Sequence, residues 1–259
     1  IDVSGATSLI TLSCSSNQIK KLDVSKNIKL IDLDCAGNPL MNLDVSRNTA
    51  LKSLFCSSNQ LTSLDVSKNT ALTSLMCDGN ALTNLDVSKN TKLEWLQCGM
   101  NQLTSLDVSK NTSLTRLNCA SNQLTSLNVS GTAALEKLIC DDNQLTSLDL
   151  SKNTALITLQ CDNNHIAYLD LSKNTNIKEA YENHGTTIYT SCTGMTITVP
   201  SSSVDLSKYT GLDVSRISNV TGGTLVGTVL TFTSDAITYN YDCGKGITLT
   251  ATWTQEKSN

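Results

Sequence analysis

Aromatic residues make up only 4% of this 259-residue chain, prolines number two, histidines number two, and Lys plus Arg fall short of Asp plus Glu, 19 against 23. A formal charge of −4 leaves no cationic surplus to neutralise phosphates, so no nucleic-acid partner is expected. No apolar run approaches the roughly eighteen residues of a membrane helix, and the first residues lack the charged-then-apolar pattern of a leader. Neither a membrane span nor a signal peptide is therefore expected. His165 and His184 have no serine or cysteine nucleophile at a recognisable spacing, so acid–base or triad chemistry is disfavoured, and neither an enzyme nor a cofactor is expected. So few aromatics beside so much Ser, Thr and Asn would suggest disorder in a non-periodic chain.

The chain is periodic. Written in rows of 21, it aligns Leu22, Leu43, Leu64, Leu85, Leu106, Leu127, Leu148 and Leu169 under Ile1, nine rows that end near residue 181. Within a row the apolar letters fall at positions 1, 3, 9, 12, 14 and 19, as in Leu64, Val66, Leu72, Leu75, Cys77 and Leu82. This frame, L-x-x-L-x-C-x-x-N-x-L, is the leucine-rich-repeat signature with cysteine in place of one leucine. Positions 12 to 14 alternate inward and outward, which predicts a short strand in each row and a parallel sheet across rows about 4.8 Å apart. Twenty-one residues leave no room for a helix on the return path, so D-V-S-K-N should form turns. The fold expected for residues 1–181 is a parallel β solenoid with little or no helix.

The ninth row loses the frame, with Ala180 at position 12 and Glu182 at position 14. Beyond it, MTITV, GTVLTFT, AITYNYDC and ITLTATWT alternate β-branched or aromatic residues with polar ones, so residues 182–259 read as a small antiparallel sandwich.

Cys14, Cys35, Cys56, Cys77, Cys98, Cys119, Cys140 and Cys161 form one inward column. Parallel side chains on one pleat keep neighbouring Cβ atoms near 4.8 Å apart, outside disulfide geometry, and a linear stack does not converge on a metal. A thiol buried among leucines stays protonated and inert, so the column reads as a packing ladder. Cys192 and Cys243 lie outside it and are candidates to pair. Asn17, Asn38, Asn59, Asn80, Asn101, Asn122, Asn143 and Asn164 form a second column whose amides are expected to satisfy backbone groups of their own and the adjacent row. Asn27, Asn48, Asn69, Asn90, Asn111, Asn153 and Asn174 should do similar work on the opposite edge. Position 2 is acidic and position 5 usually basic, as in Asp65 and Lys68, which suggests that the two charges offset one another.

Function should lie where rows differ. Phe55 and Met76 are expected to be neighbours across strands, with Trp95, Gln97, Met100, Arg116, Asn118 and Ile139 on the strands and loops that follow, the composition of a binding patch. Asp141, Asp142 and Asp162 meet on adjacent loops and are a weak calcium candidate; solvated acidic edge is the simpler reading, and no metal site is assigned.

The repeated frame LDVSKNTALTSLMCDGN is similar to the leucine-rich repeats of the bacterial internalins, and the cysteine column resembles their cysteine-ladder branch. The stretches VDLSKYTGLDVSRISNVTGGTLVG and ITYNYDCG resemble the immunoglobulin-like domain that follows such repeats. The resemblance implies a secreted or surface-anchored bacterial module, monomeric, that binds a host or neighbouring-cell protein or glycan through its concave sheet. The competing reading is a passive spacer that holds another domain away from the cell surface. With nothing before Ile1 to cover the first row, the chain reads as part of a longer protein.

Overall fold

The computed structural model describes residues 1–178, 180–183 and 186–256. His184 lies outside the described residues. Each of the first eight rows contributes one three-residue strand: β1 (Thr11–Ser13), β2 (Asp32–Asp34), β3 (Ser53–Phe55), β4 (Ser74–Met76), β5 (Trp95–Gln97), β6 (Arg116–Asn118), β7 (Lys137–Ile139) and β8 (Thr158–Gln160). They pair in parallel and in chain order, each residue facing the one 21 positions on, as Leu75 faces Leu96. The central leucine of each strand is buried and its two neighbours face outward, which is the pleat's alternation made visible. All six apolar positions of a row enter the core: Leu64, Val66, Leu72, Leu75, Cys77 and Leu82 are buried together.

The return path is turn, as its length requires. Asp65 Oδ1 accepts the amide of Ser67 at 2.8 Å, an Asx turn that recurs in every row. This corrects the idea that positions 2 and 5 are held by mutual charge. The one ion pair among the described residues is Asp170–Arg216 at 3.3 Å. In the seventh row Asn128 Oδ1 accepts from Ser130 at 3.0 Å, so an amide serves as well as a carboxylate.

Two columns of asparagine hold the edges. Asn101 Nδ2 donates to the carbonyls of Cys98 and Cys77, both at 3.1 Å, while its Oδ1 accepts the Leu82 amide at 3.0 Å. The other column is only half like it. Asn90 Nδ2 donates to Val66 and Asn69 carbonyls at 3.0 and 2.9 Å, but its Oδ1, like that of its six column-mates, is buried without a donor. In row seven the place is taken by Thr132, whose hydroxyl donates to Val129 at 2.8 Å.

The loss of frame in the ninth row is an insertion. β9 (Ala180–Asn183) and β10 (Thr186–Tyr189) form an antiparallel hairpin. The coil then resumes: Ser191 bridges Gln160 in parallel, and the Cys161 amide donates to Ser191 at 2.9 Å. Cys192 thus takes the place that a 21-residue step from Cys161 assigns to residue 182, so ten residues have been inserted. Gly194 then occupies position 16, where every row from Ser16 to Asn163 has a left-handed backbone, here φ +68°. A Cβ on Gly194 would lie 2.1 Å from the Asn163 side-chain oxygen, so a larger residue here would require the Asn163 side chain to move.

Cys192 and Cys243 are free and buried, so the expected pairing is not formed, and Cys192 is not outside the column as expected but takes its next place. The ladder is thus nine cysteines long, from Cys14 to Cys192, and Cys243 belongs to a sheet in the C-terminal part of the molecule, where its carbonyl accepts the Leu171 amide. There β11 (Met195–Val199), β13 (Ile217–Thr221), β16 (Ala236–Gly244) and β17 (Ile247–Gln255) form one sheet in the order β11-β17-β16-β13. β12 (Ser203–Asp205), β14 (Gly223–Val226) and β15 (Val229–Phe232) form a second, ordered β12-β15-β14. The β11–β17 pair is parallel, so this region is not wholly antiparallel as its sequence pattern suggested. Its core of Trp253, Tyr239 and Tyr241 is continuous with that of the coils. Tyr239 donates its hydroxyl to Ala167 at 2.8 Å, Leu171 donates its amide to Cys243 at 2.9 Å, and Tyr168 bonds the Thr210 carbonyl. The last coil is therefore covered by hydrogen-bonded protein instead of exposing its leucines.

Candidate recognition groove on the open sheet face

Side chains at positions 11 and 13 leave the sheet on one face because the leucine between them points inward. Reading that face along the strands, Asp32 and Asp34 come first, then the apolar Phe55 and Met76, then Trp95, then Arg116 and Lys137. Phe55 lies directly opposite Met76, and Gln97 opposite Asn118, which in turn faces Ile139. Trp95 faces Ser74 on one side and Arg116 on the other, with the guanidinium 5.5 Å from the indole centroid.

A groove of about 420 Å³ opens here, lined by Trp95, Gln97, Arg116, Asn118, Lys137 and Ile139 with Glu136, Ile157 and Thr158 at its margins. It thus gathers five of the eight residues proposed from sequence. Met76 and Phe55 stand beside it, one and two strands nearer the N-terminus. Met100 does not belong to it: it sits past the end of β5 at position 16, left-handed at φ 51° and 67% exposed. A larger hollow of about 820 Å³ lies elsewhere, among Lys20, Pro39, Met41, Asp44 and Gln60. Its walls are return-path turns that carry both charge signs, and it does not touch the open face.

Lys137 was not singled out from the sequence, although it stands in the variable column. It is half-buried and lies directly opposite Arg116, an unfavourable juxtaposition of like charges. Burial, and then the nearby guanidinium, hold its ammonium below the usual lysine range. Neither cation has an ion-pair partner among the described residues. Asn118 Oδ1 accepts the Ala120 amide at 3.1 Å, which fixes the amide with its nitrogen free to donate.

The acidic loops are built otherwise. Asp141 Oδ1 accepts the Asp162 amide at 2.8 Å, and Asp162 Oδ1 accepts the Ser191 hydroxyl at 2.7 Å and the Thr193 amide and hydroxyl. Asp142 accepts from Asn163 at 2.7 Å. These oxygens tie one row to the next instead of converging, and no group of three candidate metal ligands occurs among the described residues. Burial raises the Asp141 carboxyl to about 6. The ladder thiols are likewise raised by burial, Cys119 to about 12, and stay protonated. His165 Nδ1 lies 2.5 Å from the Thr196 carbonyl, a bond between the eighth row and β11.

Comparison with solved structures places this architecture among known ones. The functional domain of InlJ from Listeria monocytogenes, which includes a cysteine ladder, is 32% identical, with a TM-score of 0.78 over 99% of this chain. A leucine-rich-repeat protein of Leptospira interrogans is 25% identical with a TM-score of 0.64 over 68% of the chain. An internalin, InlF, of Listeria monocytogenes is 25% identical with a TM-score of 0.60 over 64%. The chain spans 59%, 49% and 52% of those three chains respectively. Neither family models nor curated proteins match it.

Proposed function

This chain is an internalin-type leucine-rich-repeat protein, and from that premise we propose that it is a bacterial recognition module, secreted or held at the cell surface, that binds a protein or glycan through its open sheet face. The observation that carries the reading is the groove itself. Trp95, Gln97, Arg116, Asn118, Lys137 and Ile139 meet on three adjacent strands, β5 to β7, with Thr158 of β8 beside them, and neither cation there is in an ion pair among the described residues. A spacer has no use for facing cations beside an outward tryptophan, because such an arrangement costs stability and contributes nothing to packing. Phe55 and Met76 would extend the contact for a larger partner. No helix among the described residues is long and apolar enough to cross a membrane. We place the changeover to an immunoglobulin-like unit after Gly194 instead of at residue 182, because Ser191 to Gly194 continue the coil.

The test is capture of partners from detergent-solubilised host-cell membranes by the immobilised chain, followed by affinity measurement on the captured molecule. Trp95→Ala should weaken binding by about 2 kcal/mol or more while leaving the urea midpoint nearly unchanged, since the indole lies outside the core. Binding unaffected by Trp95→Ala and Arg116→Ala together would move recognition off this face.

A further inference from the structure

The recognition reading leaves the ligand's chemistry open, and the groove narrows it. Resting on that reading, we propose that the groove between β5 and β8 takes the acidic end of a saccharide, with the ligand's carboxylate or sulfate held between Arg116 and Lys137 and its hydroxyls met by Gln97 and Asn118.

Charge is the first support. Arg116 and Lys137 stand opposite one another on adjacent strands with no ion-pair partner, so the site offers a fork of donors whose mutual repulsion an anion would relieve. The depressed ammonium of Lys137 has the same origin, burial together with the neighbouring guanidinium. Glu136 lies at the rim and opposes an anion there, yet it leaves the groove with two positive groups against one negative. The acidic residues of the face, Asp32 and Asp34 on β2, are four strands from Arg116 and five from Lys137, so the face is polarised and only this end suits an anion.

Size and donor chemistry favour a sugar over an acidic peptide. About 420 Å³ holds a sugar ring or two but not a folded protein edge, and the apolar pair that a protein surface would need, Phe55 and Met76, falls outside the lining. The paired amides of Gln97 and Asn118 match vicinal hydroxyls, because each amide nitrogen donates where a hydroxyl oxygen accepts. Trp95 and Ile139 provide apolar walls at either side.

The experiment titrates the whole chain, at low and at moderate salt, with matched probes: lactose against sialylated lactose for the carboxylate, galactose against galactose sulfate for the sulfate, and a hexaglutamate peptide. Titrations are read by chemical-shift perturbation and calorimetry. The expected result is that one acidic sugar binds about tenfold or more tighter than its neutral partner, and that added salt weakens it. Arg116→Gln and Lys137→Gln should each remove most of that preference, and Lys137→Arg should retain it, with thermal unfolding confirming that all three fold. Equal binding of neutral and acidic sugars would overturn the proposal, as would hexaglutamate binding without either acidic sugar. If no probe bound while membrane capture still depended on Trp95, the acidic-sugar assignment would fall and the recognition reading would stand. If capture too were indifferent to Trp95, both would fall.

Discussion

Leu96 and its neighbours Trp95 and Gln97 differ by one step along a single strand, yet they belong to two regimes. Leu96 sits in a column repeated with hardly a change through eight rows, fully buried and backed by Cys98. Trp95 and Gln97 sit in columns that run through Thr, Asp, Ser, Trp, Arg and Lys, or through Ser, Asp, Phe, Met, Gln and Asn. The inward columns are uniform because each row must offer the next the same volume and the same hydrogen bonds, or the stack loses register. The outward columns answer to nothing inside the molecule, so their variation is free to record a ligand. The contrast predicts that inward substitutions damage stability and spare binding, and that outward ones do the reverse.

The strongest challenge to the contrast is at Asn101. Asn101→Ala strips the donor from two cysteine carbonyls and the acceptor from the Leu82 amide, all buried, and should cost about 3 kcal/mol in urea unfolding. Next comes Cys98→Ser, which places a hydroxyl among leucines at a cost of about 2 kcal/mol, whereas Cys98→Ala should cost less. A serine variant as stable as the parent would mean that the column is not core. On the open face the sign should reverse. Lys137→Thr, which copies Thr158 of the next row, removes the repulsion with Arg116 and should raise stability by about 0.5 kcal/mol while harming recognition.

The smallest effect is expected at Asp141, still partly wet and therefore screened. Its carboxyl is raised to about 6 in the folded chain from 3.8, so folding favours its protonated form. Stability from this group accordingly grows as pH falls from above 6 towards 3.8 and is lost as pH rises through 6. The Asx-turn carboxylates such as Asp65 are lowered by the amides of serines two residues on, so their contribution has the opposite sign and is lost only below 3.8. Comparing urea midpoints of the parent and Asp141→Asn between about pH 4 and pH 7 isolates the slope, which the variant should flatten.

Much of this was legible in the letters. The 21-residue period gave the coil, the parallel register and the core columns, since each follows from which positions must face inward. The insertion was not, because counting in unbroken rows carries the frame straight through ten extra residues. The signal was present: Cys192-Thr193-Gly194 repeats Cys35-Ala36-Gly37 and Cys77-Asp78-Gly79. The site was half legible. The strand pairing of Trp95, Arg116 and Gln97 follows from the rows, but Lys137 as an unpaired cation depends on no carboxylate coming within ion-pair distance, which is a matter of side-chain geometry. For the same reason the orphaned oxygens of the Asn90 column could not be told from the satisfied ones of the Asn101 column.

The hairpin in the ninth row has a practical consequence. Its two ends are pinned to each other and to the preceding row: the Thr190 hydroxyl donates to the Lys178 carbonyl at 2.6 Å, and the Ser191 amide donates to Leu159 at 2.9 Å. The solenoid therefore already carries foreign sequence at this seam without losing its next rung, beside the strand that ends the groove. The span between Lys178 and Thr190 is thus a natural grafting port, where a loop of chosen length and chemistry can be spliced in while the stack beneath it keeps its pitch.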